Sequence, residues 1–258
     1  MGIPNLLFLL FFLTSAASVA SSYLLGSLRE LSTSPNFDIL LGLTTSIEFG
    51  EVVPLSNDGF ILTGGLSSSQ LIAIATNQLG EVAFATTLAS PTDQLKAVDG
   101  LQTSQGEIIL LVKVTTPQSL EKMALAKLSS SGGLVWSKEI SGGVSSNTPH
   151  YLSITQVGDV ILVGETQNLG VGGDNIALAV DGDGQLQWAS YFGGPQRDVL
   201  SRMKPLSNGG FILCGFTFSF SNIVLEDILL VRMADNGSIV WSRRMGYSDK
   251  RSVCNDVT

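Results

Sequence analysis

The chain has 258 residues, 44% hydrophobic and 14% charged, which is enough apolar material for one or two folded domains and excludes a disordered tail. Acidic residues outnumber basic ones 22 to 14, giving a formal net charge of −8, so the basic excess that neutralises nucleic-acid phosphates is missing and DNA and RNA are excluded as partners. The same balance favours solubility and repulsion from anionic membranes without fixing a partner.

Residues 1–20 carry a compact apolar run at 6–13 followed by small side chains, the grammar of a secretory signal peptide. Cleavage is expected after Ala20, because Ser18 and Ala20 supply the small residues wanted at positions −3 and −1. The alternative is a membrane anchor, but a span needs about 20 apolar residues and this run is far shorter. Secretion or display at the cell surface follows. Residues 21–36 read as a linker. Export permits disulfides, and the two cysteines are Cys214 and Cys254; their spacing leaves open whether they pair.

From Phe37 onward the chain repeats. SPNFDILLG (34–42) has the shape of an outer strand with no partners in front of it. Then NQLGEVAF (77–84), SSSGGLVW (129–136), DGDGQLQW (181–188) and ADNGSIVW (234–241) end on Phe84, Trp136, Trp188 and Trp241, spaced 52, 52 and 53 residues apart. A glycine precedes each aromatic by four residues: Gly80, Gly132, Gly184 and Gly237. Three further apolar runs recur in every unit. NDGFILTGG, QGEIILLV, GDVILVGET and NGGFILCGF form one set; LIAIAT, MALAKL, NIALAV and DILLVRM form the next; IEFGEVVPL, QLKAVDGL, YLSITQV and LSRMKPL form a weaker first set.

Four short segments, rich in β-branched and aliphatic residues and separated by Gly, Asn, Asp and Ser, read as four strands per unit. Four strands in about 50 residues is the arithmetic of a propeller blade, whose single sheet must stack on neighbours to bury both faces. The expected fold is therefore all-β, a β-propeller or propeller fragment with about four complete repeats in this chain. Blades are expected at about 47–87, 95–140, 149–192 and 199–245, with the start of a fifth at 250–258. A β-sandwich is the less economical alternative. With an orphan strand at each end, the chain is expected to be a fragment of a longer propeller. An open four-blade arc, a ring closed by a second chain, and a compact four-bladed ring stand as alternatives.

The pattern AKLSSSGGLVW (126–136) resembles the tryptophan-docking motif of quinoprotein dehydrogenases, but Leu128 stands where that family has Asp, so blade-wedging aromatics are implied and a quinone is not. NDGFILTG, NGGFILCG, NIALAVDGDGQLQW and DILLVRMADNGSIVW more closely resemble the units of bacterial-type β-propeller repeat proteins, over residues 37–258. That resemblance implies a secreted or cell-surface binding or scaffold module with no shared catalytic residues.

Asp181 and Asp183 invite a calcium-loop reading. It fails because Gln185, Leu186 and Phe192 occupy positions 5, 6 and 12, and a hairpin turn explains both aspartates. His150, the single histidine, would have to serve as base in any Ser-His-Asp arrangement, and nothing places a partner Ser and Asp with it. Asp174 and Asp227, equally spaced before Trp188 and Trp241, read as loop caps at the start of strands that could also line one end of the propeller. No catalytic residue, cofactor or metal ligand is assigned. Asn236-Gly237-Ser238 is an N-glycosylation sequon on an exposed turn. A protein or carbohydrate ligand is expected on loops 66–70, 115–121, 166–174 and 217–226; the alternative is a propeller enzyme, quinoprotein-like or hydrolytic.

Overall fold

The computed structural model describes residues 11–12, 28–30, 39–41, 48–140, 146–167, 174–219, 225–246 and 250–254. Among these every regular element is a β-strand. Three short ones come first: β1 (Phe11–Phe12), β2 (Leu28–Glu30) and β3 (Ile39–Leu41), of which the last two pair as an antiparallel ladder. Phe37 and most of the stretch read as a signal peptide lie outside the described residues.

Four blades follow, each an antiparallel meander of four strands in sequence order. The first is β4 (Glu48–Pro54), β5 (Phe60–Ser67), β6 (Gln70–Thr76) and β7 (Val82–Ala89). The second is β8 (Gln94–Gln102), β9 (Ile108–Thr115), β10 (Glu121–Leu128) and β11 (Leu134–Ile140), with β1 added beside β11. The third is β12 (Asn147–Ile154), β13 (Val160–Thr166), β14 (Asp174–Val180) and β15 (Leu186–Phe192). The fourth is β16 (Asp198–Pro205), β17 (Phe211–Thr217), β18 (Asp227–Met233) and β19 (Ile239–Met245). The architecture is a β-propeller type with four four-stranded repeats in this chain. Contacts gather residues 13–119 with 126–137 into one compact unit, and residues 1–12, 120–125 and 138–258 into another.

Burial explains the sequence pattern. The second and third strands of the third blade are covered on both faces, so β13 (VILVGET) and β14 (DNIALAV) are buried at every position, whereas β18 of the fourth blade alternates between buried and half-buried residues. Within the second unit β16 lies across β12, β13 and β14. The resulting core joins Ile161, Val163, Ala177 and Ala179 of the third blade to Leu200, Phe211, Leu213 and Val231 of the fourth. Each fully buried side chain of this size contributes about 1.5–3 kcal/mol through burial.

Two of the aromatic anchors, Phe84 and Trp188, act between neighbouring blades. In the second unit Trp188 lies so close to Gly237 that a Cβ there would sit 2.4 Å from the ring's Cε3; in the first, a Cβ on Gly132 would sit 2.3 Å from Cδ2 of Phe84. Hydrogen bonds two residues further on repeat as well: Thr86 Oγ1 donates to Gly132 O at 2.5 Å and Ser190 Oγ to Gly237 O at 2.9 Å. The indole Nε1 of Trp188 donates to Asp235 O at 2.9 Å. Gly80, Gly132, Gly184 and Gly237 all have φ between +71° and +86°, the left-handed region that favours glycine. Asp181 is a turn former: its Oδ1 accepts from the backbone N–H of Asp183 at 3.0 Å and of Gln185 at 2.9 Å.

Candidate functional site

Every first strand carries a β-bulge at the same place, between Phe49 and Val52, Ala97 and Asp99, Pro149 and Tyr151, and Leu200 and Arg202. A bulge leaves one residue without a ladder partner and re-aims its side chain. In the third blade that residue is His150.

The site lies on the third and fourth blades, at the end where first strands begin and second strands finish. Glu165, one residue from the end of β13, accepts two parallel bonds from the Arg197 guanidinium, Nε to Oε1 at 2.8 Å and Nη2 to Oε2 at 2.9 Å. Glu165 is 9% exposed, while the Arg197 side chain stays 52% exposed. Such a fork is stronger and more oriented than a single-point ion pair. The guanidinium carbon also lies 5.6 Å from the centroid of Phe216, whose ring meets Phe218 edge-on at 5.8 Å. Beneath the fork, His150 Nε2 is 4.0 Å from Glu165 Oε2, beyond hydrogen-bond reach. Beside it Thr148 Oγ1 donates to Glu121 Oε2, and the Glu121 N–H donates to Ser146 Oγ at 3.2 Å.

A second buried group adjoins this one. Asp198, fully buried, accepts from Thr217 Oγ1, from the Gly194 N–H at 2.6 Å and from Ser219 Oγ at 2.7 Å. Asn175 Oδ1 accepts from the Leu200 N–H at 2.6 Å, tying β14 to β16. Asp174 and Asp227 open β14 and β18 and are both buried. Burial raises the Asp174 carboxyl, and the charge of Asp198 adds to the rise. Asp227 Oδ2 is held by Arg244 Nη1 at 3.1 Å.

His150 is kept below its ordinary value of 6.5 by burial, against the opposing pull of Glu165. Below about that pH the unfolded chain binds a proton that the folded chain resists, so stability falls on acidification. His150→Gln should flatten that dependence. The check is the urea midpoint at pH 7.5 and pH 5: the wild type should lose more between them than the variant, and equal losses would show that the histidine is not held neutral.

The loops expected to bear a ligand differ from one another. Residues 66–70 form a tight hairpin, with Ser67 paired to Gln70, and 116–120 link β9 to β10. Residues 168–173 and 220–224 lie outside the described residues. Asn236 sits exposed at its turn, where its Oδ1 accepts from Ser238 N at 3.1 Å and Ser238 Oγ at 2.7 Å. Cys214 and Cys254 form a disulfide with Cα atoms 5.8 Å apart. Among the described residues no group of three or more His, Cys, Asp or Glu is placed to hold a metal ion, and no helix is long and apolar enough to cross a membrane.

No family model matches the sequence, and no curated protein is detectably similar to it. Solved structures do resemble it. One is a protein described as an exo-beta-1,3-galactanase from Bifidobacterium bifidum s17, at 10% identity over 76% of this chain and 70% of that one, TM-score 0.45. Another is a Hadza microbial sialidase, at 10% identity over 75% of this chain and 44% of that one, TM-score 0.42.

Proposed function

We propose that this chain is a secreted or cell-surface β-propeller module that binds a protein or carbohydrate ligand through the end of the third and fourth blades carrying Glu165, Arg197 and Phe216. One observation carries the reading: the two ends of these blades differ in kind. At the far end short turns are closed by paired backbone bonds: Thr155 N to Asp159 O with Gly158 N to Thr155 O, Asp181 N to Gln185 O with Gly184 N to Asp181 O, and the same pattern at Leu206–Gly210 and Ala234–Ser238. At the near end the longer connections 167–173 and 218–226 accompany half-buried His150 and buried Glu165, Asp174, Asp198 and Asp227. Desolvating that many ionisable groups costs free energy that simple strand pairing would not require.

The chemistry on offer is recognition. A half-exposed guanidinium, fixed by a carboxylate and backed by an aromatic face, presents unused N–H donors next to an apolar ring, a combination that suits the hydroxyls and faces of a sugar or a polar peptide. Glu165 is already committed to Arg197, and His150 stands too far from it for a relay.

Arrays of printed oligosaccharides and of displayed peptides, probed with the labelled chain, test the reading. Binding should fall at least tenfold on Arg197→Ala or Phe216→Ala and be retained on Asp159→Ala at the opposite end. Binding lost only on the Asp159 change, or indifferent to Arg197, would overturn it.

A further inference from the structure

The outer face of the fourth blade is closed differently from that of the third. In the third blade the face turned toward its neighbour is made by Ile161, Val163, Ala177 and Ala179, all 0% exposed beneath the fourth blade. The repeat places Ile212, Cys214, Leu230 and Arg232 at the matching positions of the fourth. Only Cys214 there is fully buried; Ile212, Leu230 and Arg232 are half-buried, and Trp241, matching Trp188, is 37% exposed. Cys214 is bonded to Cys254 of the stretch 250–254.

That stretch corresponds by repeat offset to 197–201, the start of β16. The Ser252 N–H donates to Glu226 O at 2.7 Å, the Cys254 N–H to Gly215 O at 3.3 Å, and Arg251 pairs with Glu226. The covalent tie is the Cys214–Cys254 disulfide, which closes a separation of 40 residues. The Arg251 side chain is 68% exposed, so its ion pair is screened and weak.

We propose that 250–254 is a strap latched by the Cys214–Cys254 disulfide over the outer face of the fourth blade, and that a dithiol reductant releases it. Cys214 is inaccessible and Cys254 half-buried, so the reductant's thiolate attacks Cys254 Sγ. That step forms a mixed disulfide, breaks the protein S–S bond and expels the Cys214 thiolate, which takes up a proton. The reductant's second thiol then displaces Cys254 and leaves as a cyclic disulfide. Two electrons pass from the dithiol to the protein, whose cysteines end as thiols. Release uncovers Cys214 beside the half-buried Ile212, Leu230 and Arg232. The third blade, covered by the fourth, keeps its protection.

Hydrogen exchange of the full chain, oxidised and then reduced with excess dithiothreitol, tests this. Peptides covering 250–254 and 212–216 should exchange at least tenfold faster after reduction, while 160–166 and 174–180 stay unchanged. Cleavage by trypsin after Arg251 should accelerate to match. A Cys254→Ser chain should behave from the outset as the reduced wild type does and no longer respond to dithiothreitol. Unchanged exchange at 250–254 would overturn the latch, because other contacts would then suffice to hold the segment. Equal acceleration in the third blade would overturn it too, since the disulfide would then support the whole fold.

Discussion

Replacing Trp188 with alanine is expected to destabilise the chain by about 3 kcal/mol, the lower end of what truncating a tryptophan costs, because the ring is half-buried. Lost with it are the ring's contact with the hairpin of the fourth blade and the indole N–H bond to Asp235 O. Against a typical stability of about 5–15 kcal/mol this is a large share. Urea unfolding followed by far-ultraviolet circular dichroism, which does not depend on the indole signal, measures it. A change under about 1 kcal/mol would mean that the ring decorates the interface without supporting it.

Gly237→Ala should cost about 2–5 kcal/mol, from two separable causes. At φ +79° an L side chain costs about 1–2 kcal/mol. The new methyl would also meet the Trp188 ring at 2.4 Å, an overpacking worth about 1–3 kcal/mol. Gly158 supplies the comparison: its φ is +95°, and a Cβ there meets nothing within 4 Å. Gly158→Ala should therefore pay the backbone cost alone, and the difference between the two variants reads out the clash.

Much of the architecture was legible because it is local. Strand length, turn chemistry and the recurrence of Gly and Trp are written within single units, and the all-β repeat follows from them. At Gly237 the sequence points to a turn, and its φ of +79° suits one. Its second role, making room for the ring of Trp188 in the preceding blade, depends on blade stacking, which spacing does not encode. The site was less visible for the same reason. Glu165 sits at the end of an apolar run, and its partner Arg197 is 32 residues away in another blade. Neither has a motif around it. In the sequence His150 stands out only as the single histidine, with no Ser and Asp placed beside it. The structure places it on β12 as the bulged residue, largely buried, because the register of β12 against β13 slips there. Asp174 and Asp227 do open strands, but as buried carboxylates, which repeat spacing alone would not reveal.

The central claim is that the hairpin glycine Gly237 makes room for the ring of Trp188 in the neighbouring blade, and a double-mutant cycle on Trp188 and Gly237 tests it most directly. In the Trp188→Ala background the ring is gone, so Gly237→Ala should cost only about 1–2 kcal/mol, the backbone cost seen for Gly158→Ala, giving a coupling of at least about 1 kcal/mol. Additive costs, with Gly237→Ala equally damaging whether or not the indole is present, would contradict the account.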